Sequence, residues 1–202
     1  MSEVYLDGEK VEFQGDAPES CADAIALIEN YLGGVGRVVE RVELDGVERE
    51  LQDLAQVVNY GVLAFFTQSA QQRLASLCGQ WSEASSRIAE EAETLASVSL
   101  RVEWKESQMK VVDCLERMRP IIEGVEVARG YGEESQAAWT EALGQAFQRG
   151  IDSINAVADA VESGDSVRVS DQLASEVAPS WLTLGRCLRE DVAQVLDGKE
   201  AS

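Results

Sequence analysis

From residue 51 onward, apolar residues recur at threes, fours and sevens, and that spacing constrains the fold more than any other feature. A period near 3.6 lines up one face of an α-helix, and each such face must be buried against a neighbour. Leu51, Ala55, Val58, Val62, Phe65 and Ser69 form the first stripe, which predicts a helix running to Cys78 before Gly79. A heptad series follows: Leu74, Trp81, Ile88, Leu95, Val102 and Met109, flanked by Ala84, Ala92, Val98 and Val112. Apolar residues seven apart predict long helices packed in coiled-coil fashion, with Gly79 separating two of them.

One stretch gives a conflicting signal. Val98, Leu100, Val102 and Trp104 alternate as a strand would, yet their flanks are rich in helix formers, so helix is preferred with room for a break near residues 104–107. Val111, Leu115, Met118, Ile122 and Val125 continue past Pro120, which should kink the helix or start a new one. Gly130-Tyr131-Gly132 reads as a turn. Trp139, Leu143, Phe147, Ile151, Ile154, Ala158 and Val161 make a helix that ends at Ser163-Gly164. Capped by Asp165 or Ser166, the last helix carries Leu173, Val177, Trp181, Leu184, Leu188, Val192 and Val195 to Asp197-Gly198. Pro179 falls inside it and should bend its axis.

The first 50 residues follow a different pattern. Val4-Tyr5-Leu6 and Val11-Glu12-Phe13 flank Asp7-Gly8, and Arg37 to Leu44 runs into Asp45-Gly46 and Val47-Glu48-Arg49. Asp-Gly suits a tight hairpin because both central residues tolerate positive φ. The two turns share Val-x-Leu-Asp-Gly, through duplication or because both hairpins settled on the same good turn. Between them Cys21, Ile25, Ile28 and Leu32 make one helical stripe, opened near Pro18 and closed by Gly33-Gly34. The expected fold is α+β, mainly α: a small ββαββ domain at residues 1–50, then an antiparallel bundle of four to five helices at 51–202.

Composition narrows the chemistry. Against 37 Asp and Glu stand 17 Lys and Arg, a net charge of −20. The excess is shared, −9 over residues 1–50 and −11 over 51–202. Such a surface repels a phosphate backbone, so neither nucleic acid nor an anionic membrane is an expected partner. No stretch approaches the roughly 20 apolar residues that span a bilayer, and the first residues show no leader. Cys21, Cys78, Cys114 and Cys187 lie 57, 36 and 73 apart, too scattered for a disulfide framework, and read as reduced core thiols of a cytoplasmic protein.

The chain has no histidine. That removes the Ser-His-Asp and Cys-His systems, the HExxH pattern and the Glu-x-x-His ligands of di-iron bundles. No dinucleotide loop, P-loop or EF-hand is present, and no cofactor or metal is expected. Three places remain for function. Glu90, Glu91 and Glu93 could meet a basic partner or a divalent ion, although exposed acids on a helix are ordinarily just solvated. Of the four tryptophans, Trp139 and Trp181 lie on core stripes, whereas Trp104 fits no stripe and is the preferred surface anchor. Asp171, Glu176 and Pro179 gather in the first turns of the last helix, where a bend could open a groove.

In broad character (small, acidic, helical) the chain is similar to secretion and flagellar export chaperones, a likeness of composition with no shared motif. The expected function is a non-enzymatic, protein-binding adaptor or chaperone-like role, with helical grooves holding a partner's basic or amphipathic helical segment. The alternatives are a self-associating coiled-coil subunit forming a homo-oligomer and, further off, a carboxylate-only metal-binding regulator or enzyme.

Overall fold

The computed structural model describes residues 2–13, 15 and 17–198. The fold is α+β and mainly α, a five-stranded sheet followed by long helices. Contacts divide the chain into two compact units, Met1–Arg73 and Leu74–Ser202.

In the first unit both Asp-Gly turns close hairpins, β1 (Glu3–Leu6) with β2 (Glu9–Lys10) and β3 (Arg37–Leu44) with β4 (Val47–Arg49), although Val11-Glu12-Phe13, expected as the first return strand, follows β2 without being strand itself. Helix α1 (Cys21–Gly34) lies between them in sequence and starts at Ser20, whose hydroxyl accepts the Asp23 N–H. A single turn, α2 (Leu51–Leu54), buries Leu54. Then comes β5 (Val62–Ser69), which overturns the expectation of a bundle helix from Leu51 to Cys78. This strand is central, in the order β2-β1-β5-β3-β4, parallel to β1 and antiparallel to β3. Residues 51–69 therefore belong with the sheet, and the first bundle helix begins only at Ala70.

The pairing register shows what the repeated Val-x-Leu-Asp-Gly does. Leu63 lies between Val4 and Leu44, and Phe65 lies between Leu6 and Val42. Two copies of one pattern thus flank the same two residues of β5, in opposite order because one neighbour is parallel and the other antiparallel. The Asp-Gly turns, with φ of 50° and 87° at Asp7-Gly8 and 51° and 80° at Asp45-Gly46, bring both carboxylates to the ends of β5. Asp7 accepts the Thr67 N–H at 2.8 Å and the Thr67 hydroxyl at 2.7 Å, while Asp45 accepts the Val62 N–H at 2.7 Å. The Thr67 hydroxyl, its N–H and the Arg37 guanidinium hold the Asp7 carboxyl below its ordinary value. One face of the sheet, with Val4, Val42, Leu63 and Phe65, packs with Cys21, Ala24, Ile28 and Leu32 of α1 into this unit's core.

The second unit is an antiparallel four-helix bundle: α3 (Ala70–Ser99), α4 (Trp104–Ser135), α5 (Thr140–Glu162) and a last rod over residues 166–196. Side-chain pairs give the directions. Glu91 meets Arg117 and Trp81 meets Gly124, so α3 and α4 are antiparallel; Ser170 bonds Ala96 and Gly185 meets Ser82, so the rod opposes α3. Leu74, Trp81, Ile88 and Leu95 share one helix, because α3 runs unbroken through Gly79. An isolated glycine costs a helix only about 1 kcal/mol, which thirty residues with a buried face absorb. The series ends there: Val102 lies in the break between helices, at residues 100–103, and Met109 is exposed.

The turn expected at Gly130-Tyr131-Gly132 does not form, and no new helix starts at Pro120. Helix α4 continues through Pro120 and through Gly130-Tyr131-Gly132, and the chain reverses at Gln136, whose φ is 54°. Gly132 serves packing rather than turning: a Cβ there would stand 2.6 Å from the Trp139 ring. In the rod, Asp165 caps α6 (Ser166–Gln172), followed by a π-helical turn (Leu173–Val177), α7 (Ala178–Cys187), a second π turn (Leu188–Ala193) and α8 (Gln194–Leu196). The first π turn precedes Pro179, so the widened turn takes up the missing N–H where a bend is expected. Cys78, Ser82, Ser85, Ala89, Ala92 and Ala96 give α3 a buried stripe of small residues, and the rod packs close against it. A Cβ on Gly185 would sit 3.0 Å from the Ser82 carbonyl.

Candidate functional site

A largely apolar groove lies between α3 and α4, with a volume of about 550 Å³. Trp81, Ala84 and Ile88 from α3 and Pro120 and Ile121 from α4 form its floor and walls, with Gln80, Arg87, Glu91 and Arg117 around it. Helical spacing places these groups, since Trp81, Ala84, Ile88 and Glu91 recur at threes and fours and so share one side of α3. Gly124 shapes the floor. A Cβ there would stand 2.3 to 2.9 Å from Trp81 ring carbons, so the indole comes this close to α4 only because that position is glycine. Trp81 is half-buried, leaving part of its ring open to an occupant. Arg117 and Glu91 form an ion pair between the two helices at the groove's edge. Half-exposed, such a pair adds about 0–1 kcal/mol of stability and acts mainly to place charge.

A second, more polar groove of about 430 Å³ runs between α5 and the first π turn. It is lined by Arg149, Asp152 and Ser153 on one side and Ser175, Glu176 and Pro179 on the other. Pro179 lies in its lining, and the π-helical turn forms one wall of it.

The residues singled out in the sequence are dispersed. Glu90 and Glu93 are exposed on α3, while Glu91 turns to Arg117, so the three acids do not act together. Among the described residues no three His, Cys, Asp or Glu are grouped to hold a metal. Trp104 opens α4, half-buried against the bundle core, its Nε1 3.9 Å from where a Cβ on Gly164 would stand. Trp139 and Trp181 are buried, at 5% and 1% exposure. Glu176 lines the polar groove; Asp171 is exposed outside its lining. Sequence reasoning missed the pairing of Trp81 with Gly124. The signal was present as a large ring on the heptad face of one helix and a lone glycine within another.

All four thiols are free and buried. Burial pushes Cys78 and Cys187 up to about 12 and Cys114 up to about 11, with the Glu91 carboxylate adding to the shift at Cys114. Cys21 is raised as well, by burial first and by Asp45 second. These are poor nucleophiles, since the thiolate is the reactive form. An unfolded thiol ionises near about 8.5, so the folded bundle binds more protons than the unfolded chain above that pH. The stability this contributes is fully present below the unfolded value and is lost as pH rises toward the folded ones. The melting temperature is expected to fall steadily from about pH 9 upward. At pH 8 a thiol reagent should label the protein only on unfolding; prompt labelling of the native chain would contradict this placement.

In comparisons with known proteins, no family model, no curated protein and no solved structure matches the chain. Among the described residues no helix is long and apolar enough to cross a membrane.

Proposed function

We propose that the chain is a non-enzymatic protein-binding adaptor or chaperone-like protein that seats an amphipathic helix of another protein in the α3–α4 groove. The observation that carries this reading is the half-buried Trp81 seated against Gly124, an aromatic anchor in a preformed apolar floor with charges around it. Trp at the centre of a contact patch, ringed by polar groups, is the usual composition of a binding hot spot. A helix laid in such a groove presents its apolar side chains at threes and fours. The net charge of −20 would draw a partner whose polar face is basic.

The heptad series bears on the self-association alternative. Leu74, Ile88 and Leu95 are buried within this chain's own bundle, which leaves little of that face for a second copy. Buried, protonated thiols and the absence of histidine support a role without catalysis.

Ala84 is half-buried in the groove floor, and Ala84→Glu sets a longer, charged side chain where a partner's apolar side chains would rest. Covering a charge with apolar groups and crowding the floor both oppose docking, so a partner captured from the native cell should bind this variant at least about tenfold more weakly. Gln148→Glu, on the exposed side of α5, should bind as the parent does. Equal capture by the two variants, or no specific partner at all, would overturn the proposal.

A further inference from the structure

The first unit carries an apolar surface that its own core does not use. Helix α1 faces the sheet through Cys21, Ala24, Ile28 and Leu32, yet Leu27 and Tyr31 on its flank are 50% and 59% exposed. They line a groove of about 390 Å³ with Leu6, Val11 and Phe13, alongside the hairpin strand β2. That strand is one edge of the sheet. The Val11 N–H donates to the Val4 carbonyl at 2.9 Å, and a two-residue turn makes Leu6 and Glu9 the bonded pair at the hairpin's tip. Lys10, opposite Tyr5, therefore points its own N–H and C=O away from β1, toward the open edge. The helix flank overhangs the place where one more strand would lie.

We propose that this edge takes up an extended basic segment of another protein as a sixth strand, its alternate apolar side chains lying against Leu27, Tyr31 and Val11. Main-chain bonds to Lys10 give affinity in this mode, and the groove selects every second side chain. Charge identifies the occupant. Residues 1–73 hold 14 acids against 5 bases, Glu9 and Glu12 are exposed at the groove, and Lys10 is engaged by Glu3. Lys or Arg alternating with those apolar side chains projects from the other face, the one that Lys10 shares with Glu12. A second copy of this chain would bring the same acidic surface to the edge and so lacks the basic charge that identifies the occupant. This strand site and the helix groove lie on separate units, so either can fail while the other stands.

The test is an NMR titration of the full chain with the capped peptide Lys-Val-Lys-Val-Lys-Val and with its counterpart carrying Glu for Lys. The basic peptide is expected to give saturable shifts at the amides of residues 9–13 and the methyls of Leu27, with binding at least about tenfold weaker for the acidic one. Lys10→Pro removes the outward N–H at a position where an edge strand tolerates proline, and should abolish the shifts while the Phe65 resonances stay in place. Equal binding of both peptides, undiminished binding by Lys10→Pro, or no saturable shift would each overturn the proposal. So would a concentration-dependent dimer that Lys10→Pro dissolves, since the edge would then belong to a second copy.

Discussion

Trp181→Ala is expected to cost the bundle about 3–5 kcal/mol, the range for truncating a fully buried aromatic. Trp181 is the largest fully buried side chain of the chain, 1% exposed, in a core to which all four rods of the bundle contribute. Its Nε1 has no acceptor, so the change forfeits packing and leaves a cavity without also orphaning a hydrogen-bond partner. Chemical denaturation read by far-ultraviolet circular dichroism should show the midpoint fall with little change in slope. Trp81→Ala gives the contrast. Half-buried and facing the groove, Trp81 should cost clearly less stability while removing the floor on which a partner would rest.

Phe65→Ala should cost the first unit a comparable amount, about 3–5 kcal/mol, because Phe65 is wholly buried in the central strand between Leu6 and Val42. Amide exchange is the discriminating readout: protection should fall along β1, β3 and β5. Phe66 points to the other face, where the Arg41 guanidinium stacks 3.5 Å from its ring centre, and it is only half-buried. Phe66→Ala should therefore be milder. Were residues 62–69 part of a bundle helix, Phe65→Ala would instead loosen α3 and α4 and leave the two hairpins protected.

How far the fold was legible in the sequence depends on which kind of burial each segment has. The hairpins and α1 were readable because Asp-Gly states its own turn and a half-buried helix keeps a clean stripe. The last two rods were readable for the second reason. Strand β5 was not, because the residues on its outer face are apolar as well and mask the alternation; Val62-Leu63-Ala64-Phe65-Phe66 is one apolar run, and Val62, Phe65 and Ser69 also fit a helical spacing. The aromatic pair and Thr67 after Gly61 favoured a strand, and a period count does not register them. Glycine and proline misled in the bundle. Gly79, Pro120, Gly130 and Gly132 look like punctuation, but the long helices tolerate them, and Gly124, Gly132 and Gly185 exist for what packs against them. Of the candidate site, Trp81 and Glu91 were legible as residues and not as neighbours of Gly124 and Arg117, since a contact between residues far apart in the chain leaves no local periodicity.

The most direct test of the proposed binding role is hydrogen exchange on the chain alone and in complex with the partner captured from its native cell. Occupation of the α3–α4 groove predicts new protection over residues 77–91 and 113–124, lost again in Ala84→Glu. Protection gained elsewhere with those two segments unchanged would contradict the account.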